Sequence, residues 1–326
     1  MKNQQQIHTA ALDGGSPRLP PAYTVPAWAR PQASGDSLES AVFSAAIAMK
    51  CLDDLVCSDP VWLGCWRSHQ ALLCANATCQ WLRLKADEHS LRDAVLLCEQ
   101  SGDPGPAGRV LQIYQKLSRR TPVLSSKTVA TLTQALGLQP LCDADLASLV
   151  EVMETTLQGR QPPLLAAAAL ITSFFRLRPD GEILGWILAD IVLAAKLGWR
   201  APVPLLFRAR LGPAMRLSQG KGQLKPDDAD FIRAFCLATC EASQQALNSA
   251  TTIARRAETL LAVAPKLRSK GAQTIIKKLL EEDSILATAP DSGLSRWAAA
   301  RLFTRLEDFG AVREVSGRSS FKIYGL

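Results

Sequence analysis

The sequence predicts a mostly α-helical fold that ends in one β-hairpin. Three observations predict it. Apolar residues recur at helical spacing from Leu38 almost to the end of the chain. Two strongly apolar runs, 163–177 and 182–197, flank a tight Arg178-Pro179-Asp180-Gly181 connection and predict a buried helical hairpin at the centre of the fold. Only the last stretch carries strand-like runs, 311–315 and 321–324, joined by the turn-forming Ser316-Gly317-Arg318-Ser319.

In chain order, residues 1–36 are rich in Gln, Gly, Ser and Pro without periodicity, too poor in apolar surface to offset their ordering entropy, and predict a disordered arm. A helix follows over 38–56. A second has Pro60 in its first turn and reaches about Leu84, and a third spans 89–98. The glycine-proline run 101–108 is a loop, followed by helices over 108–118, 127–136 and 143–157. Beyond the apolar hairpin, Pro202 to Phe207 leads into a Gly-rich basic loop reaching Lys225. Pro226 with Asp227, Asp228 and Asp230 then opens a long helix toward Ala262, the acidic side chains favoured by its dipole. One further helix spans 270–282. The predicted division is an arm at 1–36, a helical core at 37–264 and a C-terminal module at 265–326.

Composition narrows the function classes. The 326 residues, 48% hydrophobic and 21% charged, supply material for a full core. The formal charge is +7, and 266–326 carries 11 Lys/Arg against 7 Asp/Glu, a mildly basic end that suits a polyanion. Nine cysteines and three histidines show no metal-ligand spacing, so the cysteines read as reduced, small, mostly buried side chains, and no metal is expected. The most apolar run, 164–175, is shorter than the roughly 20 residues a bilayer demands, and no leader-like segment opens the chain. The expectation is a soluble cytoplasmic protein without membrane association.

The C-terminal stretch is the most specific. Ser295 is placed to cap a helix and Leu294 to staple its start; Ala299, Leu302, Phe303, Leu306 and Phe309 recur on one face, and Gly310 supplies a left-handed stop. Helix, glycine and hairpin come in the order of a winged helix-turn-helix, a module that commonly docks a helix in the major groove. In that reading Arg296, Arg301, Thr304 and Arg305 face DNA with Ala300. Arg318 and Lys322 on the wing reach phosphate or the minor groove, and Trp297 serves either core or interface.

The apolar hairpin resembles the core of the Fic family of nucleotidyl transferases, whose signature loop reads HPFxxGNGRxxR. Laid on this chain without gaps, the loop runs from Phe174 to Gly185. The order of elements from Leu164 to Leu326, including the terminal winged helix, is also similar to that of Fic proteins carrying such a module. The whole chain resembles an uncharacterised bacterial family known only as a domain of unknown function. The Fic resemblance implies a motif histidine as base and two arginines on nucleotide phosphate. Here those positions hold Phe174, which accepts no proton, Glu182, which repels phosphate, and Gly185, which is uncharged. Pro179 and Asp180 replace the Gly-Asn pair; Asp180 is expected to cap the following helix and Gly181 to make the turn. Arg176, Arg178, Asp180 and Glu182 read as a charged, solvated loop.

The reading is a non-catalytic, mostly helical cytoplasmic protein, a degenerate Fic-like bundle whose winged helix binds DNA in regulation, without cofactor, and a homodimer is one assembly it allows. Two alternatives stand beside it. One is a divergent Fic-like nucleotide transferase using the Asp180 loop, with His69 or His89 brought in by folding. The other is a protein-interaction module of a toxin-antitoxin pair or plasmid system.

Overall fold

A computed structural model describes residues 23–31, 37–99, 102–121, 123–217, 222–267, 271–288, 292–316, 318 and 320–326. The described chain holds twelve α-helices: α1 Leu38–Cys57, α2 Leu63–Trp81, α3 Glu88–Leu96, α4 Gly105–Arg119, α5 Ser126–Ala135, α6 Asp143–Gln158, α7 Pro163–Leu177, α8 Glu182–Leu197, α9 Leu206–Arg210, α10 Phe231–Val263, α11 Ala272–Glu281 and α12 Arg296–Asp308. Three short strands, β1 Ile285–Leu286, β2 Arg313–Glu314 and β3 Ile323–Gly325, form an antiparallel sheet in the order β1-β3-β2. Among the described residues no helix is long and apolar enough to cross a membrane.

The predicted central hairpin is central. Residues Glu182 to Ala194 of α8 are all buried, and α7, which buries Leu164, Leu170, Ile171 and Phe174, packs along it. Trp186 of α8 gathers Phe207, Phe231 and Phe235 around it at ring-centroid distances of 5.7–6.4 Å, tying α9 and α10 to the hairpin. Aromatic contacts of this kind add about 0.5–1.5 kcal/mol each beyond the area they bury. Helix α10, about 50 Å long at 1.5 Å per residue, is the spine against which α1, α2, α7 and α9 pack.

Four expectations are corrected. The expected arm is ordered in part: residues 23–31 hold a 3₁₀ turn at Ala27–Ala29 and bury Val25 and Ala29, with the amides of Tyr23 and Val25 donating to Thr251 Oγ1 and Gln244 Oε1 at 3.0 and 2.9 Å. Docked on α1 and α10, these backbone groups find partners in place of water. Residues 1–22 and 32–36 lie outside the described residues. Second, the run after Trp199 turns into the short helix α9 at Leu206. Third, the sequence reading missed β1, whose two residues carry no period of their own, and which pairs Ile285 with Tyr324 and Leu286 with Ile323 of β3. Fourth, Phe309, expected on the buried face of α12, is exposed, with Lys266 Nζ over its ring at 5.8 Å. Of the cysteines, Cys65, Cys74, Cys79, Cys236 and Cys240 are buried; Cys57 and Cys142 are exposed, and Cys142 Sγ caps α6.

Candidate functional site

Helix α12 is built as its sequence directs. Ser295 accepts from the Ala298 amide at its start, and Gly310 at φ +66° ends it in a conformation that costs glycine nothing. Ala299, Leu302, Phe303 and Leu306 bury one face, and Phe303 stacks on Tyr324 of β3 with centroids 4.8 Å apart. Arg296, Ala300, Arg301, Thr304 and Arg305 lie on the exposed face, and none of the three arginines forms an ion pair with a described residue. Beside them Trp297 is 80% exposed and Phe321, at φ +52°, is 60% exposed. The two aromatics, with Arg296, Ala300 and Lys322, line an open groove of about 580 Å³ between α12 and the hairpin.

On the hairpin, Arg318 and Lys322 have partners within the chain. Arg318 donates from Nη2 to Asp93 Oδ1 of α3, and His89 Nδ1 meets the Val315 carbonyl at 2.7 Å. Lys322 Nζ lies 3.0 Å from Glu314 Oε2. Gly317 and Ser319 of the expected turn lie outside the described residues. The strand pairing β2-β3 sets Arg313 against Gly325 and Glu314 against Tyr324. Among the described residues of 271–326 the helices are α11 and α12, with β1 between them.

A buried cluster that the sequence reading missed anchors this module. Asp283, between α11 and β1, receives Arg92 Nε of α3 at 2.7 Å and contacts His69 Nδ1 of α2 at 2.8 Å. Burial works to raise the Asp283 carboxyl, but the His69 and Arg92 contacts outweigh it and hold the carboxyl well below the usual range. The partners are 191 and 214 residues from Asp283 in sequence, so no local motif announces them. Both His69 and His89 are thus engaged with the C-terminal segment.

The loop of the central hairpin is closed by its own side chains. Phe174 is 1% exposed and lies against the first turn of α8. A Cβ at Gly185 would stand 3.0 Å from Phe174 Cδ1, and one at Gly181 3.2 Å from Phe174 Cε1, so both glycines serve the close approach of that ring. Gly181 lies in the turn, a 3₁₀ turn over Pro179–Gly181, with its amide donating to the Arg178 carbonyl at 3.1 Å. Asp180 does not cap α8; its carboxylate receives Arg178 Nε at 2.9 Å and Nη2 at 2.7 Å, bonds that lower its pKa. Glu182, expected on a solvated loop, is 7% exposed and accepts from Arg210 Nε and from Trp186 Nε1, while Arg210 lies over Trp81 at 4.8 Å. A guanidinium that is 2% exposed needs such a carboxylate, and the pairing explains an acid inside the core. Arg176 remains exposed. The loop brings together a benzyl ring, two glycines and two internal ion pairs, with no proton acceptor where the resemblance places one. Among the described residues no three His, Cys, Asp or Glu side chains converge to hold a metal ion.

A family model described as "Protein of unknown function (DUF1403)" matches residues 18–326. Comparison with curated proteins gives no match.

Proposed function

Because the chain belongs to the DUF1403 family of proteins of unknown function, we propose its role from its own residues: a non-catalytic regulatory protein that binds DNA through a C-terminal winged helix presenting α12. The observation that carries the reading is the outward face of α12, where Arg296, Arg301 and Arg305 stand exposed and unpaired among the described residues while the opposite face is locked to Tyr324 and the core. The order α11-β1-α12-β2-β3 with its β1-β3-β2 sheet supports it, since a helix set directly before a two-stranded hairpin is the arrangement such modules use. Arg296 and Arg301 suit bidentate contact with guanine, Thr304 and Arg305 the adjoining bases and phosphates. Arg318, tied to Asp93, positions the hairpin, and Lys322, which pairs with Glu314 and shares the groove with Arg296, is the wing's cation in this reading. The non-catalytic part rests on Phe174 and the internally paired loop, a degenerate Fic-like site in this reading.

The test is fluorescence anisotropy of labelled genomic fragments at physiological salt. Binding that weakens in Arg301→Ala supports the reading; absence of binding, or binding indifferent to Arg301→Ala and Arg305→Ala, defeats it.

One observation favours a second reading. Trp297 and Phe321, exposed beside an arginine, have the composition of a protein-interaction hot spot. A stoichiometric protein partner, or a second copy of this chain, lost on Trp297→Ala with no DNA binding at all selects that role.

A further inference from the structure

The groove between α12 and the hairpin holds more than a helix in the major groove requires. Two large rings stand in it mostly in water, Trp297 at 80% and Phe321 at 60% exposure, and large apolar side chains exposed in one groove mark a contact surface. Phe321 also holds φ +52°, a left-handed conformation that costs a bulky residue and suits glycine. Backbone strain that presents an exposed ring gains the fold nothing, and such strain gathers at binding sites. At about 580 Å³ the groove has room for a flat group the size of a nucleobase with its sugar.

Charge selects the partner. Arg296 and Lys322 line the groove with the two rings, and among the described residues no Asp or Glu lines it. The nearest acids are Glu314, paired with Lys322 at 3.0 Å, and Glu307 and Asp308 at the far end of α12. Arg296 and Ala300 belong both to the groove and to the outward face of α12, so the rings adjoin the basic row that Arg301 and Arg305 continue. Aromatic surface bordered by cations fits a partner that is at once polyanionic and flat-faced, which is a nucleic-acid strand. Duplex DNA gives these rings nothing to stack on, because each base already lies between its neighbours and shows only its edges in the grooves. An unpaired strand shows its base faces as well.

We propose that the DNA taken by this module carries an unpaired strand, whose bases stack on Trp297 and Phe321 and whose phosphates lie beside Lys322. The inference rests on the reading of α12 as a DNA-binding helix and names the form of DNA that its face takes. Duplex lies along Arg301 and Arg305, the single strand lies in the groove, and Arg296, common to both surfaces, stands at the junction. Stacking on a ring face is tolerant of base identity, so the groove adds affinity without adding sequence choice.

The experiment measures fluorescence anisotropy of the full chain with a blunt duplex, with the same duplex carrying single-stranded tails of about ten thymidines at its 3′ or its 5′ ends, and with the tail alone. A tail tightens binding by about tenfold or more. Trp297→Ala and Phe321→Gly each remove most of that gain and leave the blunt duplex as tightly bound, while Arg301→Ala weakens blunt and tailed duplexes alike. Both rings lie mostly in water, so neither variant is expected to unfold the chain. Blunt and tailed duplexes bound equally, or a gain from the tail that survives both ring variants, overturns this inference and leaves the α12 reading standing. The tail bound through Trp297 with no binding of blunt duplex and no effect of Arg301→Ala keeps the groove and overturns the α12 reading. No binding of any probe, or a protein partner held through Trp297 in its place, overturns both.

Discussion

Arg92 and Asp283 form a largely buried ion pair, Nε to Oδ2 at 2.7 Å, that joins α3 to the turn leading into β1. Removing one member leaves the other charge buried without compensation, so Asp283→Asn is expected to cost about 3 kcal/mol at pH 7, read from urea unfolding. The folded carboxyl lies below its unfolded value of about 3.9, so its contribution to stability is present above about pH 4 and is lost as pH falls through the folded value. Wild type loses more stability below pH 4 than Asp283→Asn does. A variant within about 1 kcal/mol of wild type at pH 7 would contradict this account.

Asp190 has the opposite sign. Both oxygens of this α8 carboxylate accept from backbone amides at the start of α9, Leu206 at 3.1 Å and Leu205 at 3.3 Å. Burial nevertheless pushes the carboxyl up to about 8 against the pull of those two bonds. The folded protein therefore holds this proton more tightly than the unfolded chain. The contribution is whole below about pH 4 and drains away as pH rises through about 8. Asp190→Asn, which has no proton to lose, is expected to show a flatter urea midpoint between about pH 5 and 8 than wild type; parallel profiles would place the titration elsewhere.

Gly185→Ala sets a methyl 3.0–3.2 Å from three carbons of Phe174 in a packed interior. The expected loss is about 1–3 kcal/mol in denaturant unfolding, with much of it recovered in the double variant with Phe174→Leu. Additive losses would show that the ring and the glycine are not partners.

On α12, Arg301→Ala and Arg305→Ala are expected to weaken DNA binding and to reduce the salt slope by about 1 for each phosphate contact removed. Arg318→Ala acts differently. It frees the hairpin from Asp93, so hydrogen exchange quickens over 313–325 while the salt slope holds. Equal slope changes in all three variants would return Arg318 to the DNA.

Periodicity and caps made much of this fold readable in advance. The limits of α7 and α8, Ser295 as the cap of α12 and Gly310 as its stop all follow from neighbours within a few residues, which is the range over which such signals act. What escaped reading is long-range. Glu182 looked like a solvent acid because its partner Arg210 lies 28 residues on, and His69 offered no hint of Asp283. Docking of residues 23–31 was hidden for the same reason, since Tyr23 finds its partner at Thr251.

Helix α3 is only nine residues long, a stiff rod of about 13 Å. Its His89, Arg92 and Asp93 grip the C-terminal strands and the turn before them. Those three side chains stand within about one turn of the helix, so a shift of α3 as a body would reach all of them at once, and with them the sheet on which α12 rests.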